Sequence, residues 1–236
     1  MSDVEQLKQK LVWCIRMMDM VGLVEHNGHL STRIPGTDRV LIQSRFSSRA
    51  ALTEKDILTV DLRGKLLEGT DEPPSETPIH TCVYRFRDDV SAVAHLHSHY
   101  AILLGMSGVD FAPVCNDGVL FANGVPVFPH SWNIGTDERG EALAKTLGEA
   151  RACLMRGHGA VVVAEAIEGL FQVADQFEKN ARLQCELMML GKFRPFTEQD
   201  IRQAPKRTLG ALGKGRSTWK TWNYVVSLAK KRGVLD

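Results

Sequence analysis

The chain has 236 residues, 44% apolar and 24% charged, enough to bury the core of one large domain or of a domain with appendages. A net charge of +1 excludes electrostatic capture of nucleic acid or of an anionic membrane surface. Cys14, Cys82, Cys115, Cys153 and Cys185 are odd in number and form no C-x-x-C pair, which excludes a disulfide framework and a structural zinc finger and predicts reduced thiols in a cytoplasm.

The opening Met1-Ser-Asp-Val-Glu-Gln6 has no basic, apolar leader, and no apolar stretch is long enough to span a bilayer, so a soluble cytoplasmic protein is expected. Leu7, Leu11, Ile15 and Met18 recur at spacings of four and three, predicting an amphipathic helix over residues 3–21 closed by Gly22. Leu30 to Ile34 and Arg39 to Gln43 predict a hairpin around Pro35-Gly-Thr-Asp38. Thr53-Glu-Lys-Asp56 has the form of a capping box opening a short helix. Ile57 to Leu62 and Lys65 to Leu67 predict a second hairpin around Arg63-Gly64, followed by a helix from Glu76 to about Phe86. A strand then runs toward His97, with a short helix from Tyr100.

Residues 109–132 mix short apolar runs with Gly and Pro and read as strand and loop. Asp137 to Ala150 is expected to be helical, Ala152 to Ala164 largely strand, and Ile167 to Leu190 a long helix ending at Gly191. Helices flanking antiparallel hairpins, rather than alternating with single strands, predict an α/β protein in layers with a mostly antiparallel sheet. From Phe193 the character changes: residues 205–236 hold eight of the 29 Lys and Arg, with Trp219, Trp222 and Tyr224 among them. Such a segment is either a solvated helix with one aromatic stripe packed on the body or an arm reaching a neighbouring active site, with Tyr224 or a basic residue touching an anionic substrate.

Three histidines and a glutamate carry the chemistry. His95 and His97 are two apart at the end of an apolar run, so on a strand they share one face. His158 lies in Arg156-Gly-His-Gly-Ala160, before Val161-Val-Val, and an adjacent strand could bring it to the same point; Glu76 lies in Pro73-Pro-Ser-Glu-Thr77. An H-x-H pair alone is also the pattern of a polar strand end. Three neutral imidazoles with a carboxylate nearby instead make a catalytic metal site with an open position, and His158 and Glu76 favour that reading. His29 near the proposed pocket is a second candidate acid or an ordinary hydrogen-bonded histidine. His80, one turn after Glu76 on the same helix face, is read as packing ahead of an orienting role.

Gly28-His-Leu-Ser-Thr-Arg33, Pro74-Ser-Glu76, His95-Leu-His97 and Arg156-Gly-His-Gly159, in that order, resemble the class II aldolase/adducin family. The resemblance implies an α/β/α fold over residues 1–192 with a central, mostly antiparallel sheet, and leaves 193–236 as a helical arm packing on the body or a neighbouring subunit. It further implies a homotetramer with active sites at subunit interfaces. His95, His97 and His158 would bind a divalent metal, with zinc expected and manganese, cobalt or ferrous iron also suitable. Glu76 would be a ligand or an acid/base.

Departures from the family pattern bear on substrate. Sugar-phosphate aldolases of the family carry Gly-Asn-x-Ser where this chain has Gly28-His29-Leu30-Ser31, and a Ser-Ser-Glu loop where it has Pro74-Ser75-Glu76. The bulkier His29 and the serine lost to Pro74 shrink a phosphate cradle. Ser31, Ser75, Arg45 and Arg49 remain candidates for gripping an anion, arginine's fork suiting a carboxylate. The Gly-His-x-Ser variant, Phe46 and the basic, aromatic C-terminus look more like the decarboxylase branch acting on acids such as 3,4-dihydroxyphthalate. Three functions are therefore carried forward: a metal-dependent decarboxylase of a hydroxylated aromatic acid, a sugar-phosphate aldolase in which a tyrosine protonates the leaving aldehyde, and a non-enzymatic adducin-like interaction module.

Overall fold

The computed structural model describes residues 2–204 and 216–236. Ser2 and Glu5 close a capping box at the start of α1 (Asp3–Met20), satisfying the first free N–H groups. The apolar face of α1 buries Leu11, Cys14, Ile15 and Met18. Strands β1 (His29–Arg33), β2 (Arg39–Gln43), β3 (Ile57–Asp61) and β4 (Leu66–Glu68) form an antiparallel meander, as the two predicted hairpins require. Helix α2 (Thr77–Phe86) follows, with Glu76 at its N-cap and Pro78 in its first turn, where a missing N–H costs nothing.

Strand β5 (Ala92–Leu96) then crosses the middle of the sheet and leads into α3 (His99–Ser107). A two-residue strand, β6 (Val127–Phe128), precedes α4 (Asp137–Leu147), β7 (Ala152–Met155), β8 (Gly159–Ala164) and the long α5 (Ile167–Met189). Helices α6 (Glu198–Gln203) and α7 (Arg216–Lys231) complete the described chain, α7 packing against α1 and α5. Of the arm expected over 193–236, residues 205–215 lie outside the described residues.

The eight strands form one sheet in the order β4-β3-β2-β1-β5-β8-β7-β6, antiparallel throughout except for the parallel β6–β7 pair. Alternation sorts the side chains of the central strands. Leu30, Ala92, Ala94, Leu96, Ala160 and Val162 face a core shared with α1 and α5, while Val93, Val161 and Val163 face a second core with α2 and α4. The result is the layered α/β/α arrangement with a mostly antiparallel sheet.

Two local expectations change. Residues 109–132 contain a 3-10 helix (Asn116–Phe121) and only the short β6, because their apolar groups serve as plugs under α5 rather than as strand faces. Strand β5 ends at Leu96, so His97 sits one residue beyond the sheet, in the link to α3.

Candidate active site

β1 and β5 pair with His29 directly opposite His95, and β5 pairs with β8 so that Leu96 lies opposite Ala160. His95 therefore points from the centre of the sheet to the α2 side. His158 is brought to the same point by the β7–β8 turn. That turn depends on Gly159, whose φ of +153° suits glycine and where any Cβ would collide with the Leu96 carbonyl oxygen. Glu76 arrives from the other layer, as the N-cap of α2. One ligand atom each from Glu76, His95, His97 and His158 then lies within 4.8 Å of all the others.

Hydrogen bonds decide which atoms face inward. Nδ1 of His95 donates to the Ala160 carbonyl and Nδ1 of His158 to the Trp132 carbonyl, each at 3.2 Å. This leaves the Nε2 lone pair of both rings pointing to the centre, the arrangement by which outer-layer acceptors prepare metal-binding imidazoles. Oε1 of Glu76 accepts the Ile134 N–H at 2.8 Å, so Oε2 is turned toward the rings, 3.6 Å from Nε2 of both His95 and His158. Donors around a tetrahedral ion with bonds of about 2.1 Å stand about 3.4 Å apart. Among the described residues, Nε2 of His95 and of His97 are buried with no hydrogen-bond partner. Two orphaned nitrogens beside a carboxylate are costly in a protein interior and fit a divalent cation.

The electrostatics agree. Burial pushes the pKa of His95 and His97 down, reinforced by neighbouring imidazoles, so both rings are neutral, as ligands must be. Burial works to raise the Glu76 pKa, but the neighbouring His158 and His95 rings and the Ile134 N–H outweigh it and hold it at about 2. The site sets the neutral rings of His95 and His97, with His158, around one anionic carboxylate.

The remaining sequence candidates divide. His29, 3% exposed, lies beside the cluster, its Nε2 4.0 Å from Glu76 Oε2 and its ring 5.0 Å from that of His95. Ser31 is fully buried and spends its hydroxyl on His80 Nδ1 at 2.6 Å and Tyr84 Oη at 2.8 Å. Arg49 is buried and directs its guanidinium at the backbone carbonyls of Gly28 and Ser47, bracing the loop after β2. Arg45 is exposed in that loop, paired with Glu72 at 3.4 Å and over the Phe46 ring. Ser75 is exposed immediately before Glu76. Tyr224, 67% exposed on α7, sits on the layer of α1 and α5, across the sheet from the face His95 presents to α2.

His80 and Tyr84 were undervalued in the sequence. Glu76, His80 and Tyr84 follow one another at intervals of four along α2, so one helix face carries all three. His80 Nε2 lies 2.7 Å from His29 Nδ1. A cavity of about 480 Å³ reaches His97 from the other side and is lined by Ser98, Tyr100, Glu178, Lys179 and Arg182. Glu178 accepts the Tyr100 N–H at the start of α3, tethering the helix that follows His97.

Comparison with known proteins agrees with this geometry. The family described as Class II Aldolase and Adducin N-terminal domain matches residues 9–185. A 3,4-dihydroxyphthalate decarboxylase of Rhodococcus jostii (strain RHA1) is 26% identical, over 97% of this chain and 98% of its own. A 5-deoxy-D-ribulose 1-phosphate aldolase of Bacillus thuringiensis serovar kurstaki is 28% identical over 66% of this chain and 73% of its own. Among solved structures, an aldolase II superfamily protein from Pseudomonas syringae superposes with a TM-score of 0.88 at 20% identity, covering 99% of this chain and 96% of its own.

Proposed function

We propose, for a chain that belongs to the class II aldolase and adducin family, a divalent-metal-dependent carbon–carbon lyase that decarboxylates a hydroxylated aromatic acid of the 3,4-dihydroxyphthalate type. The observation that carries the reading is the convergence of Glu76, His95, His97 and His158 with bare inward nitrogens, in a chain similar to such decarboxylases over nearly its whole length. His95, His97 and His158 would hold the metal, zinc being the favoured ion. A bound dication supplies Lewis acidity, stabilising negative charge on an oxygen next to the breaking bond.

The protein's own groups supply the proton traffic. Glu76 is ionised, so it starts as a base and takes the proton of the substrate hydroxyl. It returns that proton to the ring carbon bearing the carboxylate. The electron pair of the carbon–carbon bond then passes through the ring to the former hydroxyl oxygen as carbon dioxide leaves. The Ile134 N–H fixes Oε1, so one oxygen makes both transfers. Arg45, the exposed arginine of the β2 loop, would hold a second carboxylate, and the exposed Ser75 is a further candidate to bind substrate. We further propose a homotetramer whose sites lie between subunits, where Tyr224 of one chain reaches the site of another.

Similarity to the ribulose-phosphate aldolase supports a second reading, in which the same base moves the proton of a ketose phosphate. The engagement of Ser31 with His80 and Tyr84 withdraws one hydroxyl from any phosphate cradle and favours the first. The test is carbon dioxide release by the zinc-loaded protein from ortho-hydroxy aromatic acids, including 3,4-dihydroxyphthalate, with aldehyde release from ketose 1-phosphates measured in parallel. Release abolished by chelator and by His95→Ala supports the proposal. No carbon dioxide from the aromatic panel, or aldehyde from the ketose phosphates alone, overturns it.

A further inference from the structure

Behind the cluster, four buried polar side chains run in file between the sheet and α2. Tyr84 Oη lies 2.8 Å from Ser31 Oγ, Ser31 Oγ 2.6 Å from His80 Nδ1, and His80 Nε2 2.7 Å from His29 Nδ1. The far ring edge, His29 Nε2, faces Glu76 Oε2. Each of these residues is 3% exposed or less. We infer that Tyr84, Ser31 and His80 form a buried hydrogen-bond chain that fixes His29 in its Nε2–H tautomer, aiming one N–H donor at the oxygens gathered at the site. The part played in turnover rests on the reading proposed above; the tautomer does not.

The argument is one of satisfying every hydrogen. A neutral imidazole carries one N–H, so the file has two consistent directions. In one, Tyr84 donates to Ser31, Ser31 to His80 Nδ1, His80 Nε2–H to His29 Nδ1, and His29 Nε2–H points into the site. In the other every donor is reversed: His29 presents a lone pair to the site, and the Tyr84 hydroxyl must find another acceptor.

Both ends select the first direction. At the site end, a lone pair facing the ionised Glu76 carboxylate repels it, whereas an N–H attracts it. At the core end, Ser31 Oγ, 2.8 Å away, is the phenol oxygen's hydrogen-bond partner among the described side chains. In the first direction the phenol donates to Ser31; reversed, its proton has no acceptor among the described residues.

The same geometry refines the part His29 can play. For His29 to surrender its Nε2 proton, the file would have to shift by one proton at each link and leave a phenolate on Tyr84 in the core. A phenolate there is expensive: burial pushes the Tyr84 pKa well up, and the Arg33 guanidinium 5.1 Å from the ring centroid offsets only part of that cost. His29 is therefore a fixed neutral N–H, aimed at Glu76 Oε2 4.0 Å away in the resting protein and free to donate to the substrate oxygen that gains charge during turnover. His80, Ser31 and Tyr84 are positioning residues.

The test reads the tautomers directly. Zinc-loaded protein labelled with nitrogen-15 in its eight histidines is examined by long-range proton–nitrogen correlation spectra, with His29 and His80 assigned from His29→Gln and His80→Gln variants. Both rings carrying their proton on Nε2 is the expected result; both on Nδ1, or any other combination, overturns the inference. In the kinetic arm, Ser31→Ala breaks the file without touching the substrate, so kcat is expected to fall roughly tenfold, with KM changed less than twofold. A raised KM with unchanged kcat would make Ser31 a binding group and count against the chain. Tyr84→Phe serves if Ser31→Ala does not fold. Absence of turnover on any substrate removes the proposed reaction and leaves the tautomer result standing.

Discussion

An imidazole binds a cation only through a bare nitrogen, and at this site backbone carbonyls choose which nitrogen is bare. Ala160 and Trp132 hold Nδ1 of His95 and His158, so neither ring must rotate before it can ligate. Glu76 is prepared in the same way by the Ile134 N–H. Substituting Glu76→Gln separates its two roles, because the amide oxygen still accepts from Ile134 while the charge is lost. We expect the apo variant to keep its circular dichroism spectrum and to bind zinc at least about tenfold more weakly by competition with a chromophoric chelator. Unchanged affinity would show that the Glu76 charge plays no part in holding the ion. The convergence of His95, His97, His158 and Glu76 was legible in the sequence because an H-x-H pair ends an apolar run, His158 stands between glycines and Glu76 opens a helix. His80 and Tyr84 were not: a histidine and a tyrosine one turn apart on an apolar helix face are equally the signature of packing, and only the strand opposite shows that His29 and Ser31 wait for them.

Helix α2 is the element on which the site depends, since Glu76, His80 and Tyr84 all ride on it or its cap. Its position is set by α4, which approaches at Gly140. A Cβ there would stand 2.5 Å from Cys82 Sγ and 2.7 Å from the Pro78 carbonyl oxygen. Gly140→Ala pits two effects against each other. Alanine in a helix interior gains about 1 kcal/mol over glycine, and overpacking costs about 1–3 kcal/mol. Because one obstacle is backbone and cannot rotate away, overpacking wins. The urea midpoint is expected to fall, with weaker zinc binding as α2 shifts; a raised midpoint would show that the two helices can part at no cost. Elements with a clear period were legible at this scale: α1, the two hairpins and α5 fall within a few residues of their expected bounds. Residues 109–132 were not, because short apolar runs broken by Gly and Pro have no period, and their shape is dictated by the groove beside α5. There Asn180 and Gln184 hold the backbone of Ala112 and Val114.

At the scale of the molecule, four neutral histidines in one layer tie folding to pH. His29, His80, His95 and His97 all have pKa values lowered by burial first and by neighbouring charges second, that of His80 to about 3. Above pH 6.5 these rings are neutral in the folded and the unfolded chain, and pH has no hold on them. As pH falls below 6.5, the unfolded chain takes up protons that the folded core refuses. The unfolded state then binds more protons, so stability drops with falling pH, by about 1.4 kcal/mol per pH unit for each ring that differs. The loss from His80 continues to its folded value of about 3. Glu76 acts in the same sense lower down: its stabilisation is complete above 4.5 and is lost as pH falls toward about 2. Urea unfolding of chelator-treated protein between pH 8 and 5 should therefore show a plateau above about 6.5 and a steep decline beneath it. His80→Phe, which removes one of the titrating rings, should flatten the decline below 6.5 even if it lowers the plateau. A stability that stays level from pH 8 to 5, or rises as the solution is acidified, would mean that the imidazoles are charged in the folded core and that the trio is not poised for a cation.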